Sequence, residues 1–180
     1  MRGKTIKLKE KIYHGSITLF DEIDLYAGRK YKDFGRGFYL AYKKDQAIKM
    51  MNKKAREAKG RKNININKTL YTYKTNSEAL NNLNVKIFTE ANMEWLEFVL
   101  MCRHSATTPH NYDVVIGPTA DDDTTYCLNM YREGIYGPTD SIQAKRTLLN
   151  NLEVENYGIQ VFIRTEAGKQ ILVGREVERY

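Results

Sequence analysis

Phe34-Gly35-Arg36-Gly37-Phe38-Tyr39-Leu40-Ala41 decides how this chain is read. Two glycines around an arginine mark a turn, and the apolar run that follows has the composition of a strand. Working upstream, Lys11-Ile12-Tyr13-His14 reads as a short first strand ending at Gly15-Ser16, with Ser16 placed to cap a brief helical segment through Ile23. Working downstream, Asp45 is placed to cap a helix running to about Lys59, with Gly60 as its stop. Ala47, Met51, Ala55 and Ala58 recur there at helical spacing and make one face apolar. Lys49, Lys53, Lys54, Arg56 and Lys59 read as the solvated face opposite.

Farther out the pattern keeps alternating between strand and helix. The Asn-Ile alternation in Arg61-Lys62-Asn63-Ile64-Asn65-Ile66-Asn67-Lys68 reads as an exposed strand or a loop. Strands are expected at Leu70–Tyr73 and Val85–Phe88, then a helix over Met93–Arg103 with Trp95, Leu96, Val99 and Leu100 facing the core. Tyr112–Pro118 is the clearest buried strand, closed by its Gly-Pro turn. Helices follow at Thr124–Arg132 and Ser141–Asn150, with strands at Ile159–Arg164 and near Ile171–Val173. Strands at both ends with helices between them imply a mixed α+β fold. The 180 residues contain three prolines and no Gly/Ser-rich or Pro-rich linker, so residues 1–180 are read as a single domain.

No stretch approaches the roughly 20 apolar residues needed to cross a bilayer. The N-terminus lacks the apolar segment of a signal peptide. Cys102 and Cys127 make no disulfide framework and no zinc spacing, so a reduced, metal-free, cytoplasmic protein with no membrane partner is expected. Net charge is +7 and unevenly placed: residues 1–62 hold 18 Lys/Arg against 7 Asp/Glu, while residues 63–180 hold 11 against 15. A basic first third suggests an anionic ligand or partner on one side, a nucleic acid among the candidates.

The residues that carry chemistry come in two motifs. Tyr13-His14-Gly15-Ser16 resembles the His-Gly-Ser signature of the poly(ADP-ribose) polymerase-like and diphtheria-toxin-like ADP-ribosyltransferases. The segment from Phe34 to Ala41 resembles their second motif, where a Gly-x-Gly turn leads into a strand bearing the pocket tyrosine. The chain is also similar, from Lys11 to about Val173, to a bacterial family carrying His-Gly-Ser, Asp-Phe-Gly-x-Gly-Phe-Tyr and Gly-Pro-x-Ala-Asp-Asp. The resemblance implies an ADP-ribosyltransferase-like fold of two small β-sheets splayed around an NAD⁺ cleft, with flanking helices. It implies NAD⁺ as a consumed substrate, since transfer breaks the nicotinamide glycosidic bond through an oxocarbenium-like ribose held in a strained pose. His14 would bond the adenosine-side ribose hydroxyl. Gly15 would clamp the nicotinamide carboxamide with its backbone, beside Ser16. Tyr39 would stack on the nicotinamide, Gly37 would let its strand approach the ligand, and Asp33 would hold the turn over the pocket or shape it as an Asx residue.

The family's third position is a glutamate on a strand near the C-terminus, and here that place is taken by Gln160, which carries no charge. Met50 and Ala47 stand where a second aromatic and a small hydroxyl are expected. Gln160 argues against chain elongation and leaves mono-ADP-ribosyl transfer to a macromolecular acceptor, protein or nucleic acid, as the expected activity. Met50 and Ala47 imply weaker NAD⁺ binding or a pocket completed by other residues. A toxin, effector or defence role, with an antitoxin or immunity partner, comes from the resemblance alone. The alternatives are a binder of NAD⁺ or ADP-ribose without turnover and a nucleic-acid module whose tyrosines stack on bases. Asp121-Asp122-Asp123 keeps two readings: a carboxylate for the site or its acceptor, or charges favouring the start of the Thr124 helix. Arg103 is a candidate phosphate contact, or simply a helix-ending arginine.

Overall fold

Among the described residues the strands build a single mixed sheet, and each helix of eight or more residues packs against one of its faces. The computed structural model describes residues 7–59, 65–119, 122–152 and 158–180. Among these the order is β1 (Lys11–Ser16), β2 (Phe38–Ala41), α1 (Lys44–Ala58), β3 (Thr69–Thr75), β4 (Val85–Ile87), α2 (Met93–His104), β5 (Val114–Pro118), α3 (Asp122–Arg132), α4 (Ile142–Asn151), β6 (Ile159–Ile163) and β7 (Leu172–Arg179). The seven strands run in the order β4-β5-β6-β2-β1-β3-β7. Only β4 and β5 are parallel among the described neighbours. The fold is therefore mixed α+β.

One junction in the sheet is thin. β1 follows β3 in register from Lys11 to Ser16, and β2 follows β6 from Phe38 to Ala41. Between β1 and β2 the pairing is Tyr13 opposite Ala41 alone. Two splayed sheets were the expectation; a single sheet is found because that one pair keeps its halves joined.

Strand alternation assigns the two faces. Tyr39 and Phe162, paired across β2 and β6, point to the face that carries α2, α3 and α4, in a core with Trp95, Leu96, Val99, Leu128 and Leu148. On the same face Tyr13, Ala41 and Leu70 meet Ala47 of α1. The stripe Ala47, Met51, Ala55, Ala58 is the buried side of α1, as its spacing predicts. Ile12, Phe38, Leu40, Tyr71, Val161 and Ile163 form the opposite core. That side is covered by the long β1–β2 connection, through Phe20, Ile23 and Leu25, and by 3-10 segments at Glu78–Asn82 and Ala167–Ile171. Asn92 caps α2 by accepting from the Trp95 N–H, and Ser141 caps α4 by accepting from Ala144 N–H. Among the described residues no helix is long and apolar enough to cross a membrane.

Several local expectations change. No helix follows Ser16: its hydroxyl accepts from the Thr18 N–H at 3.1 Å, a local turn that competes with a helix. Lys43 occupies the N-cap of α1 without a side-chain bond, and Asp45 sits within the first turn. Gly60 lies outside the described residues, as does the first half of the Asn-Ile segment, residues 61–64, and residues 65–68 have no regular structure. The last strand runs to Arg179, well past Val173. It forms the sheet edge beside β3, where charged side chains suit an exposed strand.

Candidate functional site

Where β1 and β2 part, a side chain bridges them. His14 Nδ1 lies 2.6 Å from the Tyr39 carbonyl oxygen. A carbonyl only accepts, so Nδ1 carries the proton and Nε2 is left with its lone pair. The ring stacks on Phe38 at 4.4 Å and meets the edge of Phe20, which itself stacks on Tyr71. Loss of hydration in this aromatic setting, followed by the charge of Lys54, lowers the His14 pKa to about 3, against the opposing pull of the Tyr39 carbonyl. At neutral pH His14 is an uncharged acceptor of fixed tautomer.

Gly15 is explained by the helix behind it. A Cβ there would lie 2.1 Å from the Ala47 carbonyl oxygen and 2.8 Å from Met51 Cβ. The expected reason for this glycine was close approach to a ligand; the contact found is α1 lying directly on β1. Its carbonyl oxygen accepts from Lys54 Nζ at 3.2 Å. Lys54, read from sequence as part of a solvated face, is half-buried and turned toward the strand. Burial, then repulsion from Lys32 and Arg29, lowers its pKa to about 8, with Glu57 opposing.

The second motif is fastened on the helix face. The Tyr39 hydroxyl donates to the Gly35 carbonyl at 2.7 Å and accepts from the Phe34 N–H at 3.1 Å, closing the turn on its own strand. Burial, with Asp33 nearby, holds this phenol well above its usual pKa. The Tyr39 ring lies 4.9 Å from that of Phe162. Gly35 has a φ of 94°, a backbone region that suits glycine. Gly37 serves packing too, since a Cβ there would come within 2.5 Å of both the Ile163 carbonyl and the Phe162 ring. Thr108 receives the Arg36 N–H, and His110 Nε2 donates to the Phe34 carbonyl, so the α2–β5 connection clamps the turn from outside.

Asp33 is buried beneath this turn. Arg103 donates to its Oδ1 from Nε at 2.8 Å and from Nη2 at 2.5 Å, and Gln160 donates to Oδ2 at 3.0 Å. Gln160 Nε2 also reaches the Pro118 carbonyl at 3.3 Å. Arg103, a candidate phosphate contact from sequence, is thus engaged by a carboxylate. The ion pair joins residues 70 positions apart and the amide bond spans 127, so no local pattern announced either.

The sequence-derived residues therefore fall into two groups. His14 faces the aromatic side of the sheet, while Asp33, Tyr39 and Gln160 lie on the helix side; the His14–Tyr39 backbone bond connects them. Ser16 is buried and bonded to Thr18. Asp121 lies outside the described residues, and Asp122 opens α3. Cys102 and Cys127 are free and buried, and burial pushes the Cys102 thiol up to about 12. A family model described as "Protein of unknown function (DUF3990)" matches residues 10–173. The chain belongs to that family. The match to the family takes in both motifs, Lys54, Arg103 and Gln160. No curated protein and no solved structure matches.

Proposed function

We propose that the chain transfers a single ADP-ribosyl unit from NAD⁺ to a macromolecular acceptor, protein or nucleic acid. The observation that carries this reading is His14, held as an uncharged Nε2 acceptor at the point where β1 and β2 separate. Ribose hydroxyls are donors, and a lone pair of fixed direction is what orients one. A neutral imidazole also avoids repelling the cationic nicotinamide ring. In this reading the thin β1–β2 junction is the cleft of an ADP-ribosyltransferase-like fold, with the sheet halves splayed about the ligand. The nicotinamide glycosidic bond breaks, nicotinamide leaves with the bonding pair, and an acceptor nucleophile takes the ribosyl carbon. His14 orients the ribose. Tyr39 rigidifies the turn and presents the unbonded part of its ring. Gln160 contributes a polar amide without charge. The resemblance adds a toxin, effector or defence role inside the cell, checked by an antitoxin or immunity partner.

A second reading rests on the Asp33–Arg103–Gln160 cluster. The carboxylate nearest to Gln160 is already neutralised by Arg103, which leaves little negative charge to stabilise an oxocarbenium ion. A module that binds NAD⁺ or ADP-ribose without turnover follows from it. Nicotinamide release from NAD⁺, measured alongside calorimetric NAD⁺ binding, separates the two. Release by the wild type that His14→Ala abolishes while the protein stays folded supports transfer. Binding without release, over a panel of protein and nucleic-acid acceptors, supports the binder. Absence of binding refutes both.

A further inference from the structure

We propose that Lys54, with Arg29 and Lys32, forms a cradle for the pyrophosphate of the dinucleotide beside His14. The inference rests on the transfer or binding reading above and adds the group that would hold the ligand's charged centre.

Lys54 lies at the margin of the buried stripe of α1, three residues after Met51 and four before Ala58. A lysine at such a margin ordinarily carries its amine outward along its apolar stem. Here the amine turns inward instead and donates to the Gly15 carbonyl at 3.2 Å, at the strand that holds His14. Among the described residues no carboxylate lies within salt-bridge distance of it. Of the two acids on its own helix, Asp45 sits in the first turn, more than two turns before it, and Glu57 is shared by Arg29 at 3.8 Å and Lys53 at 3.9 Å. Asp33, the other acid of this region, is taken by Arg103. Positive charge therefore exceeds negative charge around the mouth of the β1–β2 junction.

Partly burying an ammonium without a counter-charge is unfavourable, and nearby cations worsen it. Lys32 and Arg29 both lie close enough to repel Lys54. Tyr31, immediately before Lys32, holds a left-handed φ of 60°, a cost the chain accepts where Lys32 and Asp33 are delivered. A diphosphate supplies the missing charge. It takes several ammonium and guanidinium donors at once and leaves each charge-assisted bond satisfied. Proximity to His14 is felt electrostatically in the lowered proton affinity of the imidazole. A diphosphate on Lys54 would thus lie next to the ribose that His14 orients, which is the order of groups along a dinucleotide.

Inorganic pyrophosphate is the direct probe, titrated calorimetrically into the full chain at low salt. The wild type should bind saturably. Lys54→Met should weaken binding about tenfold or more, the scale of a lost charge-assisted bond. Lys54→Arg should largely restore it, and Lys49→Met, on the exposed part of α1, should change it less than about twofold. Should Lys54→Met fail to fold, Lys32→Met replaces it, being an exposed position whose loss should weaken binding in the same sense. With NAD⁺, Lys54→Met should raise KM while kcat stays near wild type. Equal losses for Lys49→Met and Lys54→Met, or no saturable binding by the wild type, would overturn the cradle. Displacement of pyrophosphate by a short single-stranded oligonucleotide but not by ADP-ribose would overturn the dinucleotide assignment. Lys54-dependent pyrophosphate binding without NAD⁺ binding or nicotinamide release would leave the cradle standing and refute the function proposed above.

Discussion

Gly15→Ala tests whether the glycine of the first motif belongs to the ligand or to the fold. Its Cβ would sit 2.1 Å from the Ala47 carbonyl oxygen, whereas carbon and oxygen in comfortable contact stand about 3.3 Å apart. The overlap of about 1 Å is with backbone on one side and Met51 Cβ on the other, so no rotamer change relieves it. Helix α1 must move off β1, loosening the packing of Ala47 and Met51 and lengthening the Lys54–Gly15 bond. A gap of that size forfeits a quarter to a half of each contact's dispersion well, roughly. Overpacking of this kind costs about 1–3 kcal/mol, and rigid backbone on the receiving side puts Gly15→Ala near about 3 kcal/mol. For a chain of this length that lowers the melting temperature by about 6–12 °C. Thermal unfolding followed by circular dichroism reads it, with NAD⁺ binding measured well below both transitions. A melting temperature within about 2 °C of wild type, with NAD⁺ binding lost, would refute the packing account and return Gly15 to the ligand.

Three further outcomes follow from the same contacts. The unfolded chain protonates His14 near 6.5 and the folded chain near 3, so between those values the unfolded state binds more protons. His14 thus contributes stability that is complete above the unfolded value and is lost as pH falls toward the folded one, by at most about 1.4 kcal/mol per pH unit. NMR titration should find its ring signals flat from about pH 8 to 5, and a midpoint near the free-histidine value would contradict the loss of hydration around the ring. Asp33→Ala strands the Arg103 guanidinium and should cost about 3–5 kcal/mol in urea unfolding, part of which Asp33→Ala with Arg103→Met regains. Tyr39→Phe keeps the ring but leaves the Phe34 N–H and Gly35 carbonyl without their partner, so a loss of about 1–3 kcal/mol is expected, with faster amide exchange at Phe34. Unchanged exchange there would mean that the hydroxyl does not close the turn.

The legible parts of this fold are those where one face is buried along consecutive turns or alternate residues. The stripe of α1, the core face of α2 and the apolar run of β5 each repeat a period that water imposes. Of β7 only the start near Ile171–Val173 is legible, because an edge strand exposed along most of its length carries charges where a pattern is sought. The Ser16 region escaped because a hydroxyl that could cap a helix can equally close its own turn. In the site, His14, Gly15, Tyr39 and Gln160 were visible as motif positions, but what each touches was not. Lys54 is indistinguishable by residue type from Lys49 on the same helix; only the docking of α1 onto Gly15 turns one amine inward.

That docking also constrains any ligand shared by the two motifs. Tyr39 and Gln160 project to the helix face and His14 to the aromatic face, so nothing lying flat on either side of the sheet could touch all three. A ligand of the proposed kind would have to cross between the faces where β1 and β2 lose their pairing beyond Tyr13 and Ala41. His14 bridges that gap through Nδ1, and Lys54 approaches it at Gly15 from the α1 side. In the function proposed above, a dinucleotide reading both motifs would enter there edgewise, with its anionic part toward Lys54 and a hydroxyl toward Nε2. A long, flexible ligand with separate charged and hydroxylated sections suits such a passage; a compact planar one does not. The steric cost of widening the gap falls on the single Tyr13–Ala41 pair, the least reinforced junction between neighbouring strands of the sheet.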